Sequence, residues 1–414
     1  MPGNSSLPII LLSLLVSSSC GEHRAQQACR MEDEAVIVRT DGTPGAVAVS
    51  RREAGGFVIA WSAGGETAFA SANERGERVG SVTRIERLQV PRLGDGEVAA
   101  VGTKTFWPPQ EGASFDAEDL AIASLDGGAT YLAILERPHD GRAGGAHVTV
   151  LSGGESQKVS RVGSAGEYAS RISLAADGDR IAVAWHEGDL GGSKIFVAAL
   201  DPETLEVIST REVEDGAVAG VDIAFGEEGG MIAWSRTAHD GVEPRSLVRA
   251  AVLDGDLDRG RPRTIAACRH LDPQPSLVAM AGGEFGLAYR DDDDEDMRPE
   301  YYFVRLDARG EPVGKSARIS RADGFTGPEL AAVDSLVYGA VIRSFQHNLL
   351  VGLNRFDEFG RKLGGEFQIY ADKSDFVRVA MATNDDEILL VYGEDRRGSG
   401  RILSGHVACS GERR

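Results

Sequence analysis

The chain has 414 residues, with 44 Lys and Arg against 64 Asp and Glu, for a formal net charge of −20. So acidic a surface, with no basic stripe along it, repels phosphate backbones and excludes a nucleic-acid-binding role. Glycine is abundant at 52 residues, aromatics make up only 6%, and no apolar stripe of helical period appears beyond residue 20, which together point to an all-β chain.

At the N-terminus, MPGNSSLPIILLSLLVSSSC carries an apolar core from Leu7 to Val16, then Ser17, Ser18, Ser19 and Cys20. An apolar stretch of this length followed by small residues reads as an export signal, too short for a stable membrane anchor. The small-residue run ending in Cys20 and followed by Gly21 resembles the lipobox of bacterial lipoproteins, which implies acylation of Cys20 and a membrane link through that lipid alone. A freely secreted product is the alternative. Residues 1–20 are thus assigned to the signal, 21–33 to a tether and 34–411 to one folded domain.

The four cysteines are Cys20, Cys29, Cys268 and Cys409. None has the spacing of a zinc site, and an oxidising compartment permits a disulfide among those not lipidated.

From about residue 34 one phrase recurs: an apolar strand, a turn, and a second apolar strand that usually ends in an aromatic. Second-strand ends align at Trp61, Leu135, Trp185, Trp234, Tyr289, Ile342 and Tyr392. The successive differences are 74, 50, 49, 55, 53 and 50, so seven units emerge and only the first interval is stretched. Third strands follow, as in 194–200 and 301–306, then a Gly or Asp turn and a more polar fourth strand, as in 206–211. Small sheets repeated at this period cannot bury their faces alone and must stack on their neighbours. The expectation is a seven-bladed β-propeller. Six blades result if one repeat is misread, and eight if residues 88–115 form a degenerate blade.

The last repeat lacks a fourth strand after residues 401–409, while Glu34 to Thr40 precede the first repeat where a fourth strand would lie. The N-terminal strand is therefore expected to complete the last blade and remove its open edge. That closure would bring Cys29 beside Cys409, and they are the expected disulfide.

The stretched interval contains Thr105-Phe106-Trp107-Pro108-Pro109. It reads either as a flap over a binding site, with Trp107 as a ligand contact, or as an insertion packed on a blade edge. Ser124-Leu125-Asp126-Gly127-Gly128-Ala129-Thr130-Tyr131 resembles the Asp-box of sialidases and related propellers, a turn-stabilising element, with Tyr131 in place of Trp. Here it joins a first strand to a second. The acidic run Asp291 to Asp296 offers hard oxygen ligands, Asp291 and Asp293 foremost, that could take Ca2+. A solvated loop is the competing reading, and no other cofactor is expected.

Propeller chemistry gathers where the loops after the second strands meet the channel, which selects Glu136, His186, Arg236, Arg290 and Arg343. The three arginines come from consecutive blades and resemble the arginine cluster of sialidases, which implies an anionic ligand held bidentately. Strand alternation sets Arg236 against the other two, and exposed ion pairs are the competing role. No nucleophile and base pair, metal motif or dinucleotide fingerprint is present. The expectation is a monomeric, non-catalytic binding or scaffold protein for a protein or glycan at the cell envelope. The alternative is a carbohydrate-active hydrolase or lyase of sialidase-like type.

Overall fold

The computed structural model describes residues 29–409 apart from 53–54, 65, 86–97, 102–114, 126–128, 139–145, 153–156, 167–170, 179, 190–191, 217, 240–243, 258–259, 271, 293–298, 322–326, 334, 346–347, 358, 371–374, 385–386 and 397–398. The segment expected to carry the signal and Cys20 lies outside these residues, as do Trp107 and Asp293.

Strand β1 (Cys29–Thr40) opens the described chain, reaching into the expected tether. Sheet one follows as β2 (Pro44–Arg51), β3 (Phe57–Ala63), β4 (Glu66–Ala72) and β5 (Arg78–Ile85). Sheet two contains β6 (Val98–Val101), β7 (Phe115–Ser124), β8 (Thr130–Pro138), β9 (Ala146–Ser152) and β10 (Gln157–Gly166). Sheet three is β11 (Ile172–Asp177), β12 (Arg180–Asp189), β13 (Gly192–Leu200) and β14 (Val207–Gly216). Sheet four is β15 (Val218–Gly226), β16 (Gly229–His239), β17 (Pro244–Leu253) and β18 (Arg263–Cys268). Sheet five is β19 (Ser276–Ala279), β20 (Phe285–Asp292), β21 (Pro299–Leu306) and β22 (Pro312–Arg321). Sheet six is β23 (Glu329–Val333), β24 (Leu336–Phe345), β25 (Asn348–Phe356) and β26 (Phe367–Tyr370). The closing sheet has the order β1-β29-β28-β27, with β27 (Asp375–Asn384), β28 (Glu387–Arg396) and β29 (Ser399–Cys409).

Every pairing is antiparallel, and the innermost strands meet in a ring: β2 on β7, β7 on β11, β11 on β15, β15 on β19, β19 on β23, β23 on β27, and β27 back on β2. The architecture is an all-β propeller. Among the described residues no helix is long and apolar enough to cross a membrane.

Burial explains the strand sequences. A second strand is covered on both faces, so Ile181, Ala182, Val183 and Ala184 are all fully buried and the strand reads as a continuous apolar run. Fourth strands are wetter, and in β14 only Val213 and Glu214 are buried. The aligned second-strand ends Trp61, Leu135, Trp185, Trp234, Tyr289, Ile342 and Tyr392 are all buried between sheets.

Three of the turns between third and fourth strands share one device. Asn73 Oδ1 accepts from the amides of Arg75 (3.0 Å) and Glu77 (2.9 Å), Asp307 Oδ1 from Arg309 (2.9 Å) and Glu311 (2.8 Å), and Asp357 Oδ1 from Phe359 (2.9 Å) and Arg361 (2.8 Å). The fourth position must turn left-handed, and glycine fills it: Gly76, Gly310 and Gly360 have φ of 78°, 74° and 72°. Gly76 carries a second duty, since its carbonyl accepts from Ser404 Oγ at 2.6 Å and so binds sheet one to the closing sheet.

The long interval resolves into an edge strand: β6 pairs with β10 on the outer side of sheet two. No separate sheet forms from residues 88–115 among the described residues. In the Asp-box-like turn Leu125 N donates to Ala129 O at 2.9 Å, and the Ser124 and Thr130 hydroxyls lie 3.3 Å apart.

Ring closure follows the expected route. β1 pairs with β29, Cys29 lies opposite Cys409, and the two form a disulfide. Cys268 is a buried free thiol whose pKa burial raises. Because the bridge spans 380 residues of sequence, Cys29→Ser with Cys409→Ser is expected to lose up to about 5 kcal/mol of unfolding free energy, read by urea denaturation. A second expectation separates contact from conformation. An added Cβ at Gly76 would lie 2.4 Å from Leu389 Cδ1, whereas at Gly178, also left-handed with φ 51°, it would meet nothing within 4 Å. Gly76→Ala is therefore expected to cost more than Gly178→Ala, which carries only the left-handed penalty of about 1–2 kcal/mol. Equal losses in calorimetric scans would show that the Leu389 contact relaxes freely.

Candidate functional site

The seven innermost strands enclose a cavity of about 190 Å3 around the channel. Its lining is apolar along the strands but charged where they begin, with Asp119, Arg171, Asp222, Glu329 and Arg378. Backbone irregularity helps to set these side chains. Register shifts fall between Pro44 and Val47, Ala117 and Asp119, Ala219 and Val221, and Phe376 and Arg378, in four of the seven innermost strands. An extra residue at the start of a strand re-aims the side chain that follows it.

These groups are held by bonds between sheets. Asp119 Oδ2 accepts from Ile172 N of sheet three at 3.1 Å. Asp222 accepts from Ser173 Oγ of sheet three (2.5 Å), Leu277 N of sheet five (2.6 Å) and its neighbour Ile223 N (2.9 Å). Arg378 Nε donates to Gly45 O across the closure at 3.1 Å. Arg171 Nη2 reaches Gln274 Oε1 at 3.0 Å, and Gln274 Nε2 donates to Asp272 Oδ2 at 2.8 Å. Glycine at 327 permits the approach to β23, because a Cβ there would stand 2.8 Å from Gln274 Oε1.

Burial dominates the protonation equilibria. It pushes Asp119 and Asp222 above the usual carboxylate range, against the pull of Arg171 and of their hydrogen bonds. Glu329 is pushed up to about 8, by burial first and by the neighbouring Asp222 and Asp119 carboxylates, with Arg171 opposing. Burial works against the charge on Arg171, yet Asp119, Glu329, Asp272 and Asp222 together raise its pKa. Arg378 is lowered by burial and by repulsion from Arg171. A proton on Glu329 leaves two carboxyl groups facing two guanidinium groups, so the site can hold its charges in balance at neutral pH. A cleft with carboxyl groups so perturbed is where acid-base or polar recognition chemistry is usually found.

The rim residues selected from sequence are distributed differently. Arg236, at the end of β16, forms an ion pair with Glu214 of sheet three, which also accepts from Arg249 (2.6 Å) and Trp234 Nε1 (3.2 Å). It does not line the cavity. Arg290 donates its amide to Pro273 O at 2.8 Å and its Nε is buried without a hydrogen bond. Its charge lies by His270, whose pKa is lowered by burial and then by Arg290. His186 is buried, its amide donates to Arg171 O at 3.2 Å, and burial lowers its pKa, so it stands directly behind a cavity residue. Glu136 and Arg343 belong to β8 and β24, and their side chains lie outside what is described. Asp291 Oδ1 is occupied by the amides of Arg269 (2.7 Å) and Asp292 (2.8 Å).

Sequence reasoning missed the five cavity groups. The available signal was a charged residue near the start of otherwise apolar innermost strands, which reads as an ordinary strand boundary.

No protein-family model and no curated protein matches the sequence. Among solved structures the fold is similar to that of polysaccharide lyase Uly1, with a TM-score of 0.53 and 10% identity over 92% of this chain and 99% of that one. An alpha-L-arabinanase of Penicillium chrysogenum matches at TM-score 0.48 and 10% identity, over 69% of this chain and 92% of that one. The Dos1 propeller matches at TM-score 0.46 and 11% identity, over 92% and 94%. At such identities the likeness establishes the fold alone.

A group whose pKa is raised on folding favours the native state most below its unfolded pKa, and that advantage is lost as pH rises to the folded value. For Glu329 the window runs from 4.5 to about 8. Unfolding free energy is expected to fall across it with a slope approaching one proton, about 1.4 kcal/mol per pH unit. Asp119 and Asp222 add in the same sense at its acid end. Glu329→Gln is expected to flatten the decline above pH 6 in denaturant titrations; an unchanged slope would place the proton elsewhere.

Proposed function

We propose that this protein is an exported cell-envelope binding protein, a propeller of seven blades with one sheet to each, that takes a small polar or saccharide ligand at the charged mouth of its channel. The observation that carries this reading is the cavity itself, where all seven innermost strands converge and three carboxyl and two guanidinium groups share about 190 Å3. Polar groups held largely by bonds between sheets around a preformed space suit a hydroxyl-rich or carboxylate-bearing ligand, which can exchange hydrogen bonds with both charge types. His186 and Arg290 support it from the rim through their backbone bonds to Arg171 and Pro273. Export is supported by the Cys29–Cys409 disulfide, since such bridges persist in oxidising compartments. Lipidation at Cys20 would hold the propeller at a membrane, where a protein or glycan could present the ligand.

A second reading is favoured by Glu329. A carboxyl that keeps its proton near neutral pH can donate it to a departing glycosidic oxygen. The likeness of fold to a polysaccharide lyase makes saccharides the first substrates to screen. Asp222 is committed to three hydrogen bonds, which leaves Asp119 as the carboxylate partner in a hydrolase or lyase.

A glycan array containing neutral and uronate oligosaccharides, followed by titration of the hits, tests both. Binding is expected to weaken at least tenfold in Arg171→Lys and in Glu329→Gln, with native circular dichroism retained. Hits bound equally by wild type and both variants would remove the cavity from the proposal. Product release by the wild type that is abolished in Glu329→Gln would establish the catalytic reading.

A further inference from the structure

At the seam where the ring closes, Glu32 of β1, Glu387 of β28 and His406 of β29 bring one ligand atom each within 4.8 Å of one another. His406 is 4% exposed. Its Nε2 lies 2.7 Å from Glu387 Oε2, while its Nδ1, 3.8 Å from Glu32 Oε2, is buried and has no hydrogen-bond partner. A buried ring nitrogen without a partner is costly. Here it faces a carboxylate oxygen too distant to satisfy it, across a gap that an ion could fill.

Backbone geometry accounts for the convergence. His406 pairs with Leu389 of β28, so Glu387, two residues away, shares its face. On the other side the β1 register shifts between Met31 and Asp33, and Glu32 is the extra residue at that bulge. Arg30 Nη2 holds Glu32 Oε1 at 2.7 Å and leaves Oε2 toward the histidine.

We propose that His406, Glu387 and Glu32 form a binding site for a divalent transition cation of the zinc class, which ties the N-terminal strand to the last hairpin. One imidazole nitrogen and two carboxylate oxygens suit Zn2+, and an imidazole is a poor ligand for Ca2+ or Mg2+. Metal-ligand bonds of about 2.0–2.2 Å require the present spread to contract by roughly 1 Å. Both glutamates can supply this movement, because their side chains are 33% and 41% exposed. Water would complete the coordination on the open side.

The test uses the oxidised chain, stripped with chelator and titrated with Zn2+ alone by calorimetry, with Ca2+ and Mg2+ in parallel. One Zn2+ per chain and a raised melting temperature are expected, with no response to Ca2+ or Mg2+. His406→Ala is expected to lose the binding. Because that buried change can disturb the fold, Glu32→Gln with Glu387→Gln serves as the second variant and is expected to weaken Zn2+ at least tenfold. Zn2+ bound equally by wild type and the double variant, or no Zn2+ bound by wild type, would overturn the proposal and leave His406–Glu387 a hydrogen-bonded pair.

Discussion

Everything in this molecule depends on one pairing, β1 on β29. The last sheet of the ring is completed because the two chain ends share it, and here the share is a single strand. β1 is gripped from both sides. Within its own sheet Tyr392 Oη donates to Glu34 Oε2 at 2.7 Å, and from sheet one Arg78 Nη1 donates to Ile37 O at 2.9 Å. Ile37 is 1% exposed and packs in the apolar layer between the two sheets. Loss of β1 would therefore open the β29 edge and uncover the interface between first and last sheets together. The pairing is also the most non-local in the chain, and such contacts form against the full entropy of the intervening loop. A covalent bridge at its end acts on that same entropy.

Closure in turn dictates the channel. Once the innermost strands are locked in a ring, residues in their first halves face one another across a small space, and charge placed there is largely withdrawn from bulk water. The chain meets much of the resulting desolvation cost by bonding Asp119, Asp222, Arg171 and Arg378 to neighbouring sheets. Asp119 caps the start of β11, Asp222 ties β11 to β19, and Arg378 reaches the first residues of β2. These groups thus tie neighbouring sheets together while lining the cavity. Glu329 is set apart: among the described residues its carboxyl makes no hydrogen bond, and burial pushes it up to about 8. It is the member of the set most available to a ligand.

The sequence shows the repeat because the positions that define it are the ones buried most completely. Trp234 and Tyr392 are fully buried, and their spacing records the distance from one sheet to the next. The Cys29–Cys409 pair was legible for a topological reason, since a missing last strand and an extra first one can only be reconciled by pairing the ends. The cavity was not legible. Asp119, Arg171 and Glu329 come from different sheets, and the bulges that help to aim this ring leave no residue signature. Arg236 misleads for the same reason, because its partner Glu214 belongs to the adjacent sheet and nothing in the spacing of 214 and 236 announces their contact. The Glu32, Glu387 and His406 grouping is hidden more deeply still, in the two chain ends and a bulge.

Strand direction separates the two polar sites. Arg378 stands near the start of β27, opposite Gly393 near the end of β28. Glu387 begins β28, and His406 and Cys409 finish β29 beside Cys29 at the start of β1. The seam cluster and the disulfide therefore occupy one end of the closing sheet, and the channel mouth the other. At the mouth end the same sheet is held differently, by close backbone packing: a Cβ at Gly400 would fall 2.2 Å from Thr40 Oγ1 and 2.3 Å from Gly42 O. A ring pinned chemically at one face and sterically at the other can keep its channel groups fixed while the seam takes up strain. That division lets the chain reinforce its closure without altering the geometry of the channel mouth.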